Sequence, residues 1–163
     1  MPNIVEERAQ AWRADLRASM KAKERTDLPR VHMPELNAEY RSHNNEEVNL
    51  GLTPEMAMLE AKRCLDCVNP TCMEGCPVSI YIPKFVKQIE VGDFLGAAKT
   101  LKETSALPAV CGRVCPQEKQ CESQCIYTQK LGKEAVAIGY LERFAADYER
   151  ESGQISIPVI PEK

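Results

Sequence analysis

The chain has 163 residues, 44% hydrophobic and only 6% aromatic, with a net charge of -3 from 21 basic and 24 acidic side chains. That length suits one domain of ordinary size, or one compact domain with a long arm. Interspersed charge leaves no nucleic-acid footprint and no polybasic membrane patch, and no apolar run approaches the length of a membrane span.

The first residues, Met1 to Glu7, lack the basic and apolar regions of a secretory signal, which places the chain in the cytoplasm. Residues 4–25 read as one exposed amphipathic helix, with Val5, Ala9, Trp12, Leu16 and Met20 on a single stripe. The stripe either packs on the chain's own core or docks a partner. Pro29 and Pro34 break the pattern, so residues 27–52 read as an extended arm with short helical turns. A second helix opens at Leu52-Thr53-Pro54-Glu55, where Thr53 caps, Pro54 suits the first turn and Glu55 complements the dipole. It runs to about Arg63 and delivers Cys64.

Pro83 opens a third helix that buries Phe85, Val86 and Ile89. Gly92-Asp93 then breaks and recaps the chain for a helix with Phe94, Ala97, Ala98 and Leu101 on one face. The last helix spans roughly Ile138–Glu151, with Ile138, Leu141, Ala145 and Tyr148 inward. No alternating strand pattern of useful length appears. The fold class is all-α, helical with irregular cysteine-bearing loops. An N-terminal helix and arm (1–52) precede a helical domain (53–151), and an extended, proline-punctuated tail (152–163) reads as the start of a linker.

All eight cysteines fall in two tight runs: Cys64-x2-Cys67-x4-Cys72-x3-Cys76-Pro77 and Cys111-x3-Cys115-Pro116-x5-Cys121-x3-Cys125. Eight thiols are the number two four-cysteine metal centres need, and a Cys-Pro pair in each run resembles the cluster-binding pattern of bacterial ferredoxins. Without a secretory signal, clustered cysteines point to metal rather than disulfides. Zinc commonly uses paired Cys-x2-Cys units; only one occurs here, which favours iron–sulfur clusters while leaving zinc as an alternative. Pro77 disfavours helix at Cys76 and sends that thiol away from its own run, so a crossed arrangement is expected. His32 and His43 lie in the polar arm without metal-binding neighbours, and Met56 and Met58 read as packing. Arg113, between two cysteines, reads either as a donor that tunes a cluster or as a surface arginine. No nucleophile–base set stands out, so hydrolytic catalysis has little support.

Longer stretches carry a resemblance. Glu60-Ala61-Lys62-Arg63-Cys64-Leu65-Asp66-Cys67, Cys72-Met73-Glu74-Gly75-Cys76-Pro77-Val78, Leu107 to Glu118, Cys121-Glu122 and Ala137 to Phe144 resemble the N-terminal domain of the glutamate synthase small subunit. The same module is similar to the N-terminal region of dihydropyrimidine dehydrogenase and to the large subunit of ferredoxin-dependent NADPH transhydrogenases. The resemblance spans about residues 30–150. It implies an alpha-helical ferredoxin-like module with two [4Fe-4S] clusters, which relays electrons between an FAD/NADPH domain and a flavin or cluster on a partner. That partner would be the glutamate synthase large subunit or its equivalent.

Carried over by motif position, Cys64, Cys67, Cys72 and Cys125 would hold one cluster, and Cys76, Cys115 and Cys121 the other. The resemblance gives the fourth place of the second cluster to Glu142, whereas counting thiols gives it to Cys111. Glu142 lies beside the apolar stripe of its helix with no basic residue three or four positions away. The sequence carries no Gly-x-Gly-x-x-Gly after a strand, so FAD and NADPH are expected only on a downstream domain that this sequence, as a truncated N-terminal piece, would lack. Two functional classes follow: an electron-transfer module, or a docking module stabilised by zinc or a structural cluster.

Overall fold

The computed structural model describes residues 3–157. Its N-terminal segment is not the single helix expected. It folds as α1 (Ile4–Ala9), α2 (Ala11–Ser19) and α3 (Ala22–Asp27), separated by extended backbone at Gln10 and at Met20-Lys21. The physical reason lies in its arginines. On a continuous helix Arg8 and Arg13 would point about 140° apart, but the break at Gln10 lets Arg8, Arg13 and Arg17 converge on one residue, Asp66. The buried face of the segment is therefore Arg13 and Arg25, while Val5 of the expected stripe stays exposed. This arm packs on the chain's own body.

The arm continues through a four-residue helix, α4 (Ala38–Arg41), and a lone antiparallel bridge between Glu35 and Asn49. α5 (Pro54–Ala61) begins as the sequence dictates, with the Thr53 hydroxyl accepting from the Met56 amide. After the first cysteine run come α6 (Thr71–Glu74), α7 (Ile82–Glu90) and α8 (Phe94–Lys102). Asp93 caps α8 by accepting from the Gly96 amide at 3.0 Å. Phe85, Val86 and Ile89 of α7 and Ala97, Ala98 and Leu101 of α8 are fully buried, as their spacing predicts.

α9 (Pro108–Val114) was not anticipated, because seven residues with a central glycine give no helical period to read. It lies along α10 (Ile138–Ser152), which also packs on α8 and α7. Gly112 makes the close approach possible. A Cβ there would sit 2.6 Å from the Arg143 backbone nitrogen and 2.8 Å from its Cα. Gly112→Ala should therefore push α9 off α10 and cost about 1–3 kcal/mol, read as a lower denaturant midpoint at unchanged slope. At the far end, Phe94 and Phe144 meet edge-on with centroids 5.0 Å apart. Tyr148, expected inward, caps this pair from the rim and keeps one side in solvent. Of the expected extended tail, residues 154–157 carry no regular structure, and Pro158–Lys163 lie outside the described residues.

Candidate metal centres

α5 ends at Ala61, capped by Lys62, and the next turn presents Cys64 and Cys67 on a loop in which Asp66 takes a left-handed φ of 50°. Aspartate tolerates that conformation better than most residues, and here its surroundings enforce it. Its carboxylate is fully buried between Arg13 and Arg17, the latter at 2.6 Å, and Arg8 donates to its backbone oxygen at 2.7 Å. Burial is the largest single influence on Arg13 and opposes its charge, but the hydrogen bonds and charges of Asp66 and Tyr81 together outweigh it and hold the guanidinium pKa above its ordinary value. The loop is thus clamped by the arm.

Cys72 sits in α6, and Gly75 stops that helix so that Cys76 leaves it. A Cβ on Gly75 would lie 2.7 Å from the Gln120 carbonyl oxygen, so the Cys76 segment runs directly against the loop bearing Cys121. α9 carries Cys111, and Cys115 caps its C-terminal end. Cys125 leads into one turn of π-helix, Tyr127–Leu131.

All eight thiols are free, and they sort into two groups. Cys64, Cys67, Cys72 and Cys125 line one cavity whose remaining wall is largely apolar and includes Ile82, Val86 and Ile138. In the other group, Cys76, Cys111 and Glu142 all lie near enough for their charges to act on Cys115, and Cys76 and Glu142 also act on Cys121. Cys76 has therefore crossed to the second run, and Cys125 to the first. No three His, Cys, Asp or Glu side chains among the described residues converge on a point that a single ion could occupy.

Burial sets the electrostatics. It pushes the Cys64 thiol up to about 12, and Cys72 well above the ordinary thiol value. In the second group burial again leads, taking Cys121 to about 12, helped by Glu122, and Cys115 to about 11, helped by Cys111. Metal ligation needs thiolates, so loading these sites releases protons and strengthens as pH rises. Glu142 on α10 is buried too. Its Oε1 has no hydrogen-bond partner, and desolvation raises its pKa to about 7. An unpartnered buried carboxylate oxygen beside thiols is an uncommon arrangement, and a ligand is one of the few groups that explains it.

The supporting shell is polar and extensively hydrogen-bonded. Glu60 accepts from Arg63 at 2.6 Å, from the Val31 amide at 2.7 Å and from the Ala137 amide at 2.8 Å. It thereby ties α5, the arm and the start of α10 together. Arg30 and the Gly139 amide both donate to Glu122, beside Cys121. Arg113 gives its guanidinium to Asp147 at 2.7 Å and Glu47 at 2.8 Å, which makes it a tie between α9, α10 and the arm rather than a donor to the thiols. His32 and His43 are exposed, and Met56 and Met58 pack against the core. The sequence reading missed Asp66, Glu60 and Lys87. Asp66 carried a signal in its place inside Cys-x2-Cys; the other two are indistinguishable in sequence from solvated helix charges.

Known proteins bear on this arrangement. The family described as dihydropyrimidine dehydrogenase domain II, 4Fe-4S cluster, matches residues 41–154, well over half of the chain. The NAD-dependent dihydropyrimidine dehydrogenase subunit PreT of Escherichia coli O157:H7 is 42% identical over 109 residues, covering 66% of this chain and 26% of that protein. The glutamate synthase [NADPH] small chain of Escherichia coli K12 is 39% identical over 127 residues, covering 78% of this chain and 26% of its own length. The putative oxidoreductase UacF of the same strain is 37% identical over 113 residues, 69% of this chain and 17% of that protein. The chain spans about a quarter or less of these relatives. No helix among the described residues is long and apolar enough to cross a membrane.

Proposed function

The chain belongs to the dihydropyrimidine dehydrogenase domain II, 4Fe-4S cluster family, and from that premise we propose that it is the electron-relay module of a nicotinamide-dependent oxidoreductase, with two [4Fe-4S] clusters. Cys64, Cys67, Cys72 and Cys125 hold one. Cys76, Cys115 and Cys121 hold the other, with Glu142 as its fourth ligand and Cys111 as a neighbouring free thiol. The observation that carries this reading is the sorting of the thiols into two crossed groups, one around an apolar cavity and one beside an unpartnered buried carboxylate. A single Cys-x2-Cys pair among the eight thiols favours cluster cages over zinc.

When bound, such clusters accept and release single electrons. The chain's own residues do the remainder. The arginine clamp on Asp66 fixes the Cys64–Cys67 loop, Gly75 sets the two loops in contact, and Ile82, Val86 and Ile138 give the first group an apolar wall. No substrate pocket is needed for a relay. In this reading residues 53–151 form the two-cluster body and 1–52 the arm that braces it. The relatives' names mention NAD or NADPH. An FAD/NADPH domain on one side and a partner subunit equivalent to the glutamate synthase large chain on the other complete the path, in the cytoplasm.

Two variants decide the fourth ligand. Glu142→Ala should lose or convert the second cluster, leaving about four intact-cluster irons per chain instead of about eight, while Cys111→Ala keeps both clusters and their spectra. The reverse pattern would assign Cys111.

A further inference from the structure

Lys87 is a charged residue in an unusual place. It lies on α7 one position past Val86, which lines the first cavity, and it is fully buried. Its ammonium donates to the Cys64 carbonyl oxygen at 2.5 Å and to Glu90 Oε2 at 2.6 Å. Glu90 Oε1 is shared with Arg25 at 2.8 Å, so one carboxylate answers two cations and a positive excess remains. The other buried acids nearby are themselves paired, Asp66 with Arg13 and Arg17 and Glu60 with Arg63, and add no net negative charge. Stability alone explains such a lysine poorly. Taking an ammonium out of water is expensive, and a packed apolar side chain would serve α7 as well or better.

We infer that the buried Lys87 ammonium is a tuning residue, which raises the reduction potential of the cluster held by Cys64, Cys67, Cys72 and Cys125. A cluster that takes up one electron gains one negative charge, and a fixed cation in a low-dielectric surround stabilises that added charge strongly. The Lys87 charge already acts on the Cys64 thiol as the largest influence opposing burial. Among the described residues the second group has no matching buried lysine; the buried acids close to it are Glu142 and Glu122, the latter paired with Arg30. The tuning is thus specific to one centre, resting on the proposed placement of a cluster on these four thiols.

The test is a potentiometric titration of the anaerobically reconstituted full chain, with dithionite supplying one electron per cluster and electron paramagnetic resonance following each centre. Lys87→Met should lower the one-electron reduction constant of the first centre at least tenfold, about 59 mV, and leave the second unmoved. Lys87→Arg, which keeps the charge, should stay within that margin of the unaltered protein. Glu90→Gln, which removes the opposing charge, should move the first centre upward. A merely structural Lys87 predicts no such opposed pair of shifts. If Lys87→Met cannot retain the first cluster, Glu90→Gln decides alone: a rise supports the tuning, and no change or a fall overturns it. Unchanged potential in Lys87→Met, or equal shifts at both centres, also overturns it. Absence of iron from the first group in the unaltered chain is a different result, and it defeats the cluster assignment instead.

Discussion

Cys72→Ala should leave about four irons and four sulfides per chain in place of about eight of each, and Cys76→Ala should do the same by removing the other cluster. The informative protein is the double variant. The two cysteines are neighbours in one run, separated by one turn of chain, yet they line different groups. Crossed ligation predicts that Cys72→Ala/Cys76→Ala holds no cluster at all. Ligation run by run predicts that the double variant keeps the four irons of the second run. Iron and sulfide analysis after reconstitution separates the two, since the expected difference is all remaining metal against none.

Asp66→Asn should be the most damaging single change outside the thiols. Neutralising it leaves Arg13, buried among protein atoms, with no opposing carboxylate, and removes the partner of Arg17. Breaking a buried pair by deleting one charge costs about 3–5 kcal/mol. For a chain of this size that lowers the melting temperature on the order of 10 °C, and the loosened Cys64–Cys67 loop should release the first cluster before the second. Arg41→Ala provides the contrast. Its ion pair with Glu35 at 3.2 Å is exposed on both sides, so its loss should change stability by less than about 1 kcal/mol. Thermal unfolding of both variants, followed at the cluster absorbance and in the far ultraviolet, checks the pair.

The body of the fold was legible because its helices announce their own starts. Thr53-Pro54, Pro83 and Asp93 are helix-starting residues, and behind Pro83 and Asp93 stand apolar periods that the structure buries. Crossed ligation was an expectation drawn from Pro77, and the structure adds that Gly75 ends the helix carrying Cys72. The arm was not legible, because it is buried through charge. Periodicity rules look for apolar stripes, and no such rule finds three arginines gathered on an aspartate 49 to 58 residues away. α9 escaped for want of length, and its packing rests on what Gly112 lacks.

Glu142 was legible in part. Its position beside the stripe of α10 and the absence of a helical cation partner gave a hint, and the structure adds burial and an oxygen without a donor. The same pattern in Lys87 and Glu90 or Glu60 and Arg63, three residues apart on a helix, would ordinarily be read as solvated pairs. Only tertiary packing shows these to be internal, tying the cysteine loops to the helices behind them.

The most direct test of the relay is the iron and acid-labile sulfide content of the anaerobically purified and reconstituted chain, with its visible spectrum before and after dithionite. About eight irons and eight sulfides per chain, with a broad charge-transfer band that bleaches on reduction, are the predicted result. Zinc bound in place of iron, or a colourless chain that takes up no metal after reconstitution, would contradict it.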